Sequence, residues 1–268
     1  YDFENRQKLF PIDSRMKFCL LTMAGSEAGT GVFDLAFFLH RIDDLHDDDR
    51  HFSLTPEEIL LINPNTKNCP IFRSKRDAEI TKAVYRRVPV LVNEGKGEAG
   101  NPWGVSFQAM FHMSNDSHLF RTREEMEAAG FVLDGNRFVK GEEVWLPLYE
   151  AKMFWHYDHR YGTFEGVESR SNTSILGPSE KERADPSYSV MPWYWVSERS
   201  VRERNKDREW YVGFRDITNS TNERTGIFAI IPFSGVGHTS PLIIPSRAPN
   251  LYLPLIISNL NSLGFDYT

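Results

Sequence analysis

The sequence predicts an α+β fold in which sheets of short strands are combined with a few helices. Three observations support this class: helix signals are few but well formed, strand-like runs are more numerous, and one run contains a strong hairpin signal. The chain has 268 residues, of which 40% are hydrophobic and 13% aromatic, so it can form a substantial core. A largely disordered protein is therefore excluded.

Four segments carry helix signals. Residues 55–58 (Thr-Pro-Glu-Glu) combine a capping hydroxyl, a proline at the first helical position and acids in the first turn, which predicts a short helix. Ser74 can cap a helix that runs to about Arg87, with an apolar and a basic side. A capping box predicts a helix over 122–130, and a last apolar helix is predicted from residue 250 or 251 to about Gly264.

Strand signals are spread along the whole chain. Short β-branched, aromatic or leucine-rich runs bounded by turn residues occur at 17–22, 32–39, 90–92, 153–157, 190–196, 210–214, 227–231 and 242–244. In residues 131–139, Asp134-Gly135 separates two apolar runs and predicts a hairpin. The stretch 165–189 is polar and rich in turn-forming residues, which predicts a loop between two lobes.

The charge is unevenly distributed. The formal net charge is −6, so the chain is not a uniformly basic protein that holds nucleic acid by charge alone. Residues 34–58 contain eight acidic and two basic side chains, a local charge of −6. Residues 67–87 contain seven basic and two acidic side chains, a local charge of +5. Any DNA-binding site must therefore be local.

The compartment is predicted from segments that the sequence lacks. No apolar run approaches the roughly 18 residues that span a bilayer, and no basic-then-apolar leader is present, so we expect a cytoplasmic protein without a membrane partner. Because the first residue is Tyr1 and not Met, we expect a fragment of a longer protein. Cys19 and Cys69 lie in apolar stretches and are predicted to be buried, reduced thiols.

The segment 156–159 (His-Tyr-Asp-His) suggests two interpretations. Imidazole and carboxylate groups are good divalent-metal ligands, but in a strand His156 and Asp158 face one way and His159 the other, which disfavours a metal site. The alternative is polar contact with phosphate oxygens and base edges. The residues available for it are Lys152, His156, His159, Arg160 and Tyr161. Such a cluster can also be ordinary solvated surface.

A second polar segment, residues 213–225, lies between the predicted strands 210–214 and 227–231. Its two arginines, two asparagines and several hydroxyl residues are suited to bidentate contacts with guanine and adenine edges. The alternative is a loop whose Asn and Thr side chains satisfy their own backbone. No nucleophile-elbow serine and no nuclease spacing is present, so the chain is predicted to have no catalytic, cofactor-binding or metal-binding residues of its own.

A family resemblance rests on a long, ordered series of segments. These are LFPIDSRMKFCLL (9–21), FFLHRIDDL (37–45), FSLTPEEILLINPNTKNCPIFRSKRDAEI (52–80), WGVSFQAMFHMSNDSHLFRT (103–122), LPLYEAKMFWHYDHRYGTF (146–164), GFRDITNSTNERTGIFAIIP (213–232) and GHTSPLI (237–243). Together they resemble the region downstream of the catalytic motifs in Eco57I-like restriction-modification methylases. These enzymes are adenine-specific DNA methyltransferases, including those of phage-defence systems of the DISARM and BREX types.

The resemblance implies a division of the chain. Residues 1–24 resemble the last strands at the edge of the methyltransferase sheet, 25–170 a linker and first lobe of the target-recognition region, and 171–268 a truncated second lobe. In the family, S-adenosyl-L-methionine binds an upstream domain and the Asn-Pro-Pro-Tyr catalytic loop is also upstream. Neither motif occurs here, since the similar Asn63-Pro64-Asn65-Thr66 lacks the second proline and the aromatic residue. We therefore expect the cofactor to belong to the parent enzyme and not to this chain.

The leading hypothesis is a DNA target-recognition fragment of an adenine-N6 methyltransferase, with double-stranded DNA as partner. Chemistry and motif position, not family correspondence, select the expected DNA contacts, which are Arg73, Lys75 and Arg76 for phosphates together with Lys152, His159, Arg160, Arg215, Asn219, Asn222 and Arg224. The main alternative is a docking module for other subunits of a defence system, with the acidic residues 34–58 as its surface. A metal hydrolase built on the 156–159 segment is a third hypothesis.

Overall fold

The computed structural model describes residues 1–25, 27, 29, 31–170, 175–205, 208–219, 221–247 and 252–268. Short strands form small, mostly antiparallel sheets, and a few helices accompany them, so the predicted α+β class is confirmed. The chain divides into two compact units, Tyr1–Pro102 and Trp103–Thr268. The boundaries expected from the family resemblance, after residues 24 and 170, lie inside these units.

The first unit contains four strands and two α-helices in the part that the structure describes, together with short 3-10 helices at Asn5–Gln7, Ile42–His46 and Glu94–Gly100. The strands and α-helices are β1 (Asp2–Glu4), β2 (Lys17–Cys19), β3 (Phe33–Leu35), β4 (Phe52–Leu54), α1 (Pro56–Ile62) and α2 (Lys75–Arg87). The strands form two antiparallel pairs, β1 with β2 and β3 with β4. On its other edge, β1 is linked to the segment after β3 by a parallel bridge between Phe3 and Leu39. One small core contains Phe3 and Leu39, and a second contains Phe52 and Phe72.

Local signals explain both α-helices of this unit. Thr55 and Glu58 form the expected capping box, in which the Thr55 hydroxyl accepts a hydrogen bond from Glu58 N at 3.2 Å. Ser74 caps α2 by accepting from Asp77 N at 3.2 Å. The buried face of α2 contains Ala78, whereas Ile80 of the predicted apolar side is exposed, because helix packing is decided by neighbouring elements as well as by periodicity.

The second unit contains ten strands and five α-helices among its described residues, together with short 3-10 helices at Ser117–Leu119 and Ala151–Met153. The strands are β5 (Val105–Gln108), β6 (Phe120–Arg121), β7 (Val132–Asp134), β8 (Arg137–Lys140), β9 (Glu143–Tyr149), β10 (Trp195–Ser197), β11 (Trp210–Phe214), β12 (Phe228–Pro232), β13 (Gly235–Val236) and β14 (Leu242–Pro245). The α-helices are α3 (Arg123–Ala128), α4 (Glu180–Ala184), α5 (Glu198–Arg204), α6 (Leu253–Leu260) and α7 (Leu263–Tyr267).

Two sheets share the main core of this unit. One has the order β6-β10-β9-β8-β7, with β13 parallel to β9, and the other has the antiparallel order β12-β11-β14-β5. Side chains from both sheets, such as Leu148 and Ile231, meet in one buried cluster. A second cluster forms where Met126 of α3 packs with Phe138 and Trp195.

The hairpin predicted over 131–139 is confirmed as β7 and β8. Gly135 adopts φ +62°, a left-handed conformation that glycine accepts without a Cβ clash, which explains the Asp-Gly signal. The helix predicted over 122–130 is also confirmed as α3, which ends at Ala128 and is followed by Gly130 with φ +80°. The predicted strand at 153–157 is instead a 3-10 turn followed by a tight turn, and 90–92 is not a strand.

The predicted last helix is divided into α6 and α7. The break falls at Asn261, whose side-chain amide donates to Phe228 O at 2.9 Å and accepts from Phe228 N at 3.1 Å. These two hydrogen bonds tie the chain to β12 and end α6, so the predicted stop at Gly264 is wrong. The predicted start at residue 250 or 251 lies outside the described residues.

Two further sequence expectations concern cysteines and membranes. Cys19 and Cys69 are exposed, so the prediction of buried thiols is wrong. The apolar neighbours Leu20 and Leu21 on which it rested are themselves exposed, which shows that an apolar run does not ensure burial. Within the described part of the chain, no helix combines the length and apolar character needed to cross a bilayer.

Candidate nucleic-acid interface

Three exposed cationic side chains lie at the start of α2. Arg73 directly precedes the Ser74 cap, and Lys75 and Arg76 occupy the first turn. The backbone of this turn is fixed, since Lys75 N donates to Asp49 O at 2.8 Å. None of the three side chains forms an ion pair with another described residue. Their charge is therefore available to an external anion.

A groove of about 360 Å³ lies beside these cations in the first unit. Its lining includes Arg6, Phe38, His40, Arg50 and Arg73, together with Glu4, Asp47, Asp49 and Ser74. Phe38 has a left-handed backbone with φ +58°, and its ring centroid lies 4.5 Å from the Arg73 guanidinium carbon and 5.4 Å from Lys17 Nζ. Its carbonyl accepts a hydrogen bond from Arg50 at 3.2 Å.

Carboxylates neutralise most of the basic side chains around this groove. Glu4 binds Lys17 at 3.0 Å and Arg6 at 2.7 Å, and Asp47 binds Arg50 at 3.5 Å. The hydrogen bond from Lys17 is the main cause that lowers the pKa of Glu4, which keeps this carboxylate ionised. Arg73 differs from Lys17, Arg6 and Arg50 because its described contacts include an aromatic ring and no carboxylate.

The 156–159 segment forms a tight turn in the second unit. Trp155 N donates to Asp158 O at 2.7 Å and Asp158 N donates to Trp155 O at 3.0 Å, which leaves His156 and Tyr157 at the tip. Tyr157 has a left-handed backbone with φ +63°, and its N–H donates to Phe228 O at 3.0 Å. The turn is thus tied to strand β12 by its own backbone.

The metal interpretation of this turn finds no convergent ligand set among the described residues. His156 Nε2 lies 2.9 Å from Asn261 O, whereas the Asp158 carboxylate accepts from Arg160 N at 2.8 Å and from Arg183 at 3.1 Å. Burial lowers the pKa of His159, which favours its neutral form. No group of three or more potential ligands in the described part of the chain is close enough to hold a metal ion.

Arg215, a predicted base contact, lies beneath this turn. Its Nε donates to Phe154 O at 3.1 Å, and its Nη2 donates to the same carbonyl. The guanidinium carbon lies 4.6 Å from the Trp155 ring centroid and 5.7 Å from that of Tyr161. Burial lowers the pKa of Arg215, although the guanidinium stays charged at neutral pH. These contacts give Arg215 a structural role in supporting the turn.

Two other predicted contacts of this segment are also engaged within the protein. Arg160 donates to Asp185 O at 2.9 Å and to Arg183 O at 3.3 Å, so it holds the end of α4. Lys152 Nζ lies 4.8 Å from the ring centroid of Phe164. The structure therefore gathers Lys152, His159, Arg160 and Arg215 around one turn, where Arg160 and Arg215 donate to backbone carbonyls and Lys152 lies over an aromatic ring.

The remaining predicted contacts lie in the 213–225 segment, of which residue 220 is outside the described part. Asn219 is exposed, its Oδ1 accepts from Thr221 N at 3.1 Å, and its carbonyl accepts from Asn222 N at 2.9 Å. This matches the alternative of a loop that satisfies its own backbone. Arg224 pairs with Asp266 of α7 at 3.5 Å and is only 21% exposed in its side chain.

Sequence reasoning missed the aromatic side chains Phe38 and Tyr157. Both have left-handed backbones, which non-glycine residues with large side chains seldom adopt. The only sequence signal for Tyr157 is an aromatic residue placed between polar turn residues. Comparison of the chain with known protein families, with curated proteins and with solved structures finds no match.

Proposed function

We propose that this chain is the DNA target-recognition part of an adenine-N6 DNA methyltransferase of a restriction-modification or phage-defence system. The observation that carries the proposal is the exposed group Arg73, Lys75 and Arg76, which we call the α2 cation group. It provides three adjacent positive charges without described carboxylate partners in a chain whose net charge is −6. The sequence resemblance supplies the enzyme class.

In this proposal the α2 cation group holds phosphates and fixes the register of the protein on the duplex. Lys and Arg bound to phosphates release condensed counterions, and this release makes binding depend steeply on salt concentration. The parent enzyme would extrude an adenine and transfer a methyl group from S-adenosyl-L-methionine to its exocyclic amine in an upstream domain. This chain contributes positioning and discrimination, without a catalytic loop or cofactor site of its own.

The edge of strand β2 supports a connection to a methyltransferase sheet. Among the described strands, β2 pairs only with β1, so one edge has unpaired backbone groups. Exposed apolar side chains flank it, with Met16 53%, Leu20 54% and Leu21 74% exposed. Residues 1–24 would extend that sheet, and the lobes 25–170 and 171–268 would form the target-recognition region.

The structure changes the roles assigned to individual residues within this proposal. Arg160, Arg215 and Arg224 position loops, since their guanidinium groups bind carbonyls or a carboxylate of the chain. Among the described residues of the 213–225 segment, Asn219 is exposed and carries an amide suited to a base edge. Lys152, His159 and Asn222 would act as supporting polar contacts.

A salt titration of duplex binding tests the proposal. The variant Arg73→Gln/Lys75→Gln/Arg76→Gln should bind a duplex more weakly and reduce the slope of log K against log salt by about 3, since each cation neutralises roughly one phosphate. The matched control is Arg123→Gln/Arg137→Gln/Arg199→Gln, which removes three exposed arginines that already pair with acids. The control should keep a slope close to that of the wild type.

Two outcomes would contradict the proposal. The first is absence of duplex binding at low salt, and the second is an equal reduction of the slope in both triple variants. The first outcome would favour the alternative, a docking module for a protein partner. That alternative uses the acidic residues 34–58 as its surface, of which Asp43, Asp47, Asp48 and Asp49 are exposed.

A further inference from the structure

The turn at 155–158 places a strained aromatic residue at its tip. In a two-residue turn, a left-handed second residue favours glycine or asparagine, because other side chains crowd the backbone. Tyr157 occupies this position with φ +63°. Such strain in a non-glycine residue is often kept for a functional reason.

More than half of Tyr157 is exposed to solvent, with an exposed fraction of 55%. Its described ring contact is with the edge of His156, at a centroid distance of 4.7 Å and an interplanar angle of 81°. A glycine would satisfy the turn with less strain, and a polar residue would suit the exposure. The exposed aromatic ring is therefore the feature that an external ligand would use.

The turn holds this ring in a defined position. Tyr157 N is bound to Phe228 O, His156 Nε2 lies 2.9 Å from Asn261 O, and the Asp158 carboxylate is bound to Arg183 at 3.1 Å. These anchors reach β12, the end of α6 and the end of α4. Because the backbone is already ordered, little conformational entropy would be lost when the ring binds a ligand.

A second aromatic surface lies at the base of the same turn. Trp155 and Tyr161 stack at a centroid distance of 5.3 Å and an angle of 25°, with Arg215 placed over the Trp155 ring. Tyr161 is 38% exposed, so part of this stack also faces solvent. Aromatic rings accompanied by a guanidinium are a common arrangement for stacking nucleobases.

We infer that Tyr157 is a base-stacking side chain that contacts an unpaired nucleobase, with Tyr161 and Trp155 as the adjoining aromatic surface. This inference rests on the proposed DNA-binding function and specifies the ligand of one turn. In an intact duplex the faces of the bases are covered by their neighbours, so the ring requires an extruded, bulged or otherwise unstacked base. Stacking on an aromatic side chain is worth about 5- to 150-fold in affinity per base.

The test compares two DNA duplexes that differ by one unpaired adenine. Wild-type protein should bind the bulged duplex about tenfold more tightly than the fully paired one. Tyr157→Phe should keep this preference, whereas Tyr157→Gly and Tyr157→Asn should lose it and leave the affinity for the paired duplex within about twofold. With 2-aminopurine as the unpaired base, fluorescence should be quenched by the wild type and Tyr157→Phe, but not by Tyr157→Gly.

A stability measurement and a control variant complete the experiment. Tyr157→Gly should melt at the same temperature as the wild type or higher, because glycine relieves the backbone strain. Phe107→Leu, at a residue that is 58% exposed on β5, should keep the preference for the bulged duplex. Binding to the paired duplex without any preference, or a preference kept by Tyr157→Gly, overturns the stacking role alone. No binding to either duplex overturns the proposed function and this inference together.

Discussion

The guanidinium of Arg215 illustrates how one residue type serves two purposes that the sequence does not distinguish. Arginine in a polar loop is suited to reading guanine, and it is equally suited to binding a carbonyl and stacking on aromatic rings. Here the second use is observed, because Arg215 binds the Phe154 carbonyl and lies against Trp155 and Tyr161. Its effect on DNA would then be indirect, through the shape of the 155–158 turn.

We predict that Arg215→Ala destabilises the second unit by about 1 to 3 kcal/mol, because the Phe154 carbonyl loses its donors and the aromatic pair loses its cation. Arg215→Lys should recover little, since an ammonium cannot reproduce the planar, bidentate contact. Urea unfolding followed by tryptophan fluorescence measures the change. Arg199→Ala is the control, since its 89% exposed side chain pairs with Glu203 on the helix surface, and it should shift stability by less than about 0.5 kcal/mol. Unchanged stability of Arg215→Ala with weakened DNA binding would instead support direct contact.

Among the elements, the short helix α7 depends on one carboxylate. Asp266 accepts hydrogen bonds from Thr225 N at 2.7 Å and from Gly226 N at 2.6 Å, and it also pairs with Arg224. Burial acts to raise the pKa of Asp266, but these hydrogen bonds outweigh burial and the pKa is lowered overall. The carboxylate therefore joins α7 to the loop that precedes β12.

This lowered pKa predicts a pH dependence of stability. A carboxyl group whose pKa is lower in the folded state contributes its full stabilisation above its unfolded pKa, which is about 4. That stabilisation is lost as the pH falls through the folded value. Urea midpoints measured from about pH 6 to pH 2.5 should fall in the wild type, and Asp266→Asn should be less stable at pH 7 and show a shallower fall. Asp134→Asn, at a side chain that is 66% exposed, is the control and should follow the wild-type curve. Parallel curves for all three proteins would contradict this role.

The elements also show how far sequence reasoning reaches. Helix starts and the β7–β8 hairpin could be predicted because caps and turns are local chemistry. Strand β9 is not among the predicted strands, and it contains Pro147, a residue that normally argues against an inner strand. Its pairing with β8 covers only Glu143 to Trp145, so the proline lies beyond β8 and opposite Trp195 of β10. Such non-local pairing leaves no signal in a short window of sequence.

At the candidate site, too, the sequence indicates local features but not the tertiary contacts of the side chains. The α2 cation group follows from a local charge pattern and a helix cap, and its three side chains are exposed. The partners of Arg160, Arg215 and Arg224 are 23 or more residues away in sequence, so their engagement could not be foreseen. The left-handed backbone of Tyr157 depends on its anchor to Phe228, which is also a tertiary contact.

At the scale of the whole molecule, the two units have separate cores. Phe52 belongs to a core made of residues before 102, whereas Phe138 belongs to one made of residues after 103. The tryptophans provide a natural probe of this division, because all six lie in the second unit. They are Trp103, Trp145, Trp155, Trp193, Trp195 and Trp210. Tryptophan fluorescence therefore reports the second unit, and far-UV circular dichroism reports both.

We predict that the units unfold separately. Phe52→Ala removes a side chain that is 3% exposed and should destabilise the first unit by about 3 to 5 kcal/mol. Because the cavity forms in the core of the first unit, the tryptophan midpoint in urea should not move, while the circular dichroism curve should gain an earlier step. Phe138→Ala removes a fully buried ring from the second unit and should lower the tryptophan midpoint. If Phe52→Ala lowers that midpoint as much as Phe138→Ala does, the chain unfolds as one cooperative body. In that case the α2 cation group and the Tyr157 turn would be thermodynamically coupled, and a variant in either unit would change duplex binding through both.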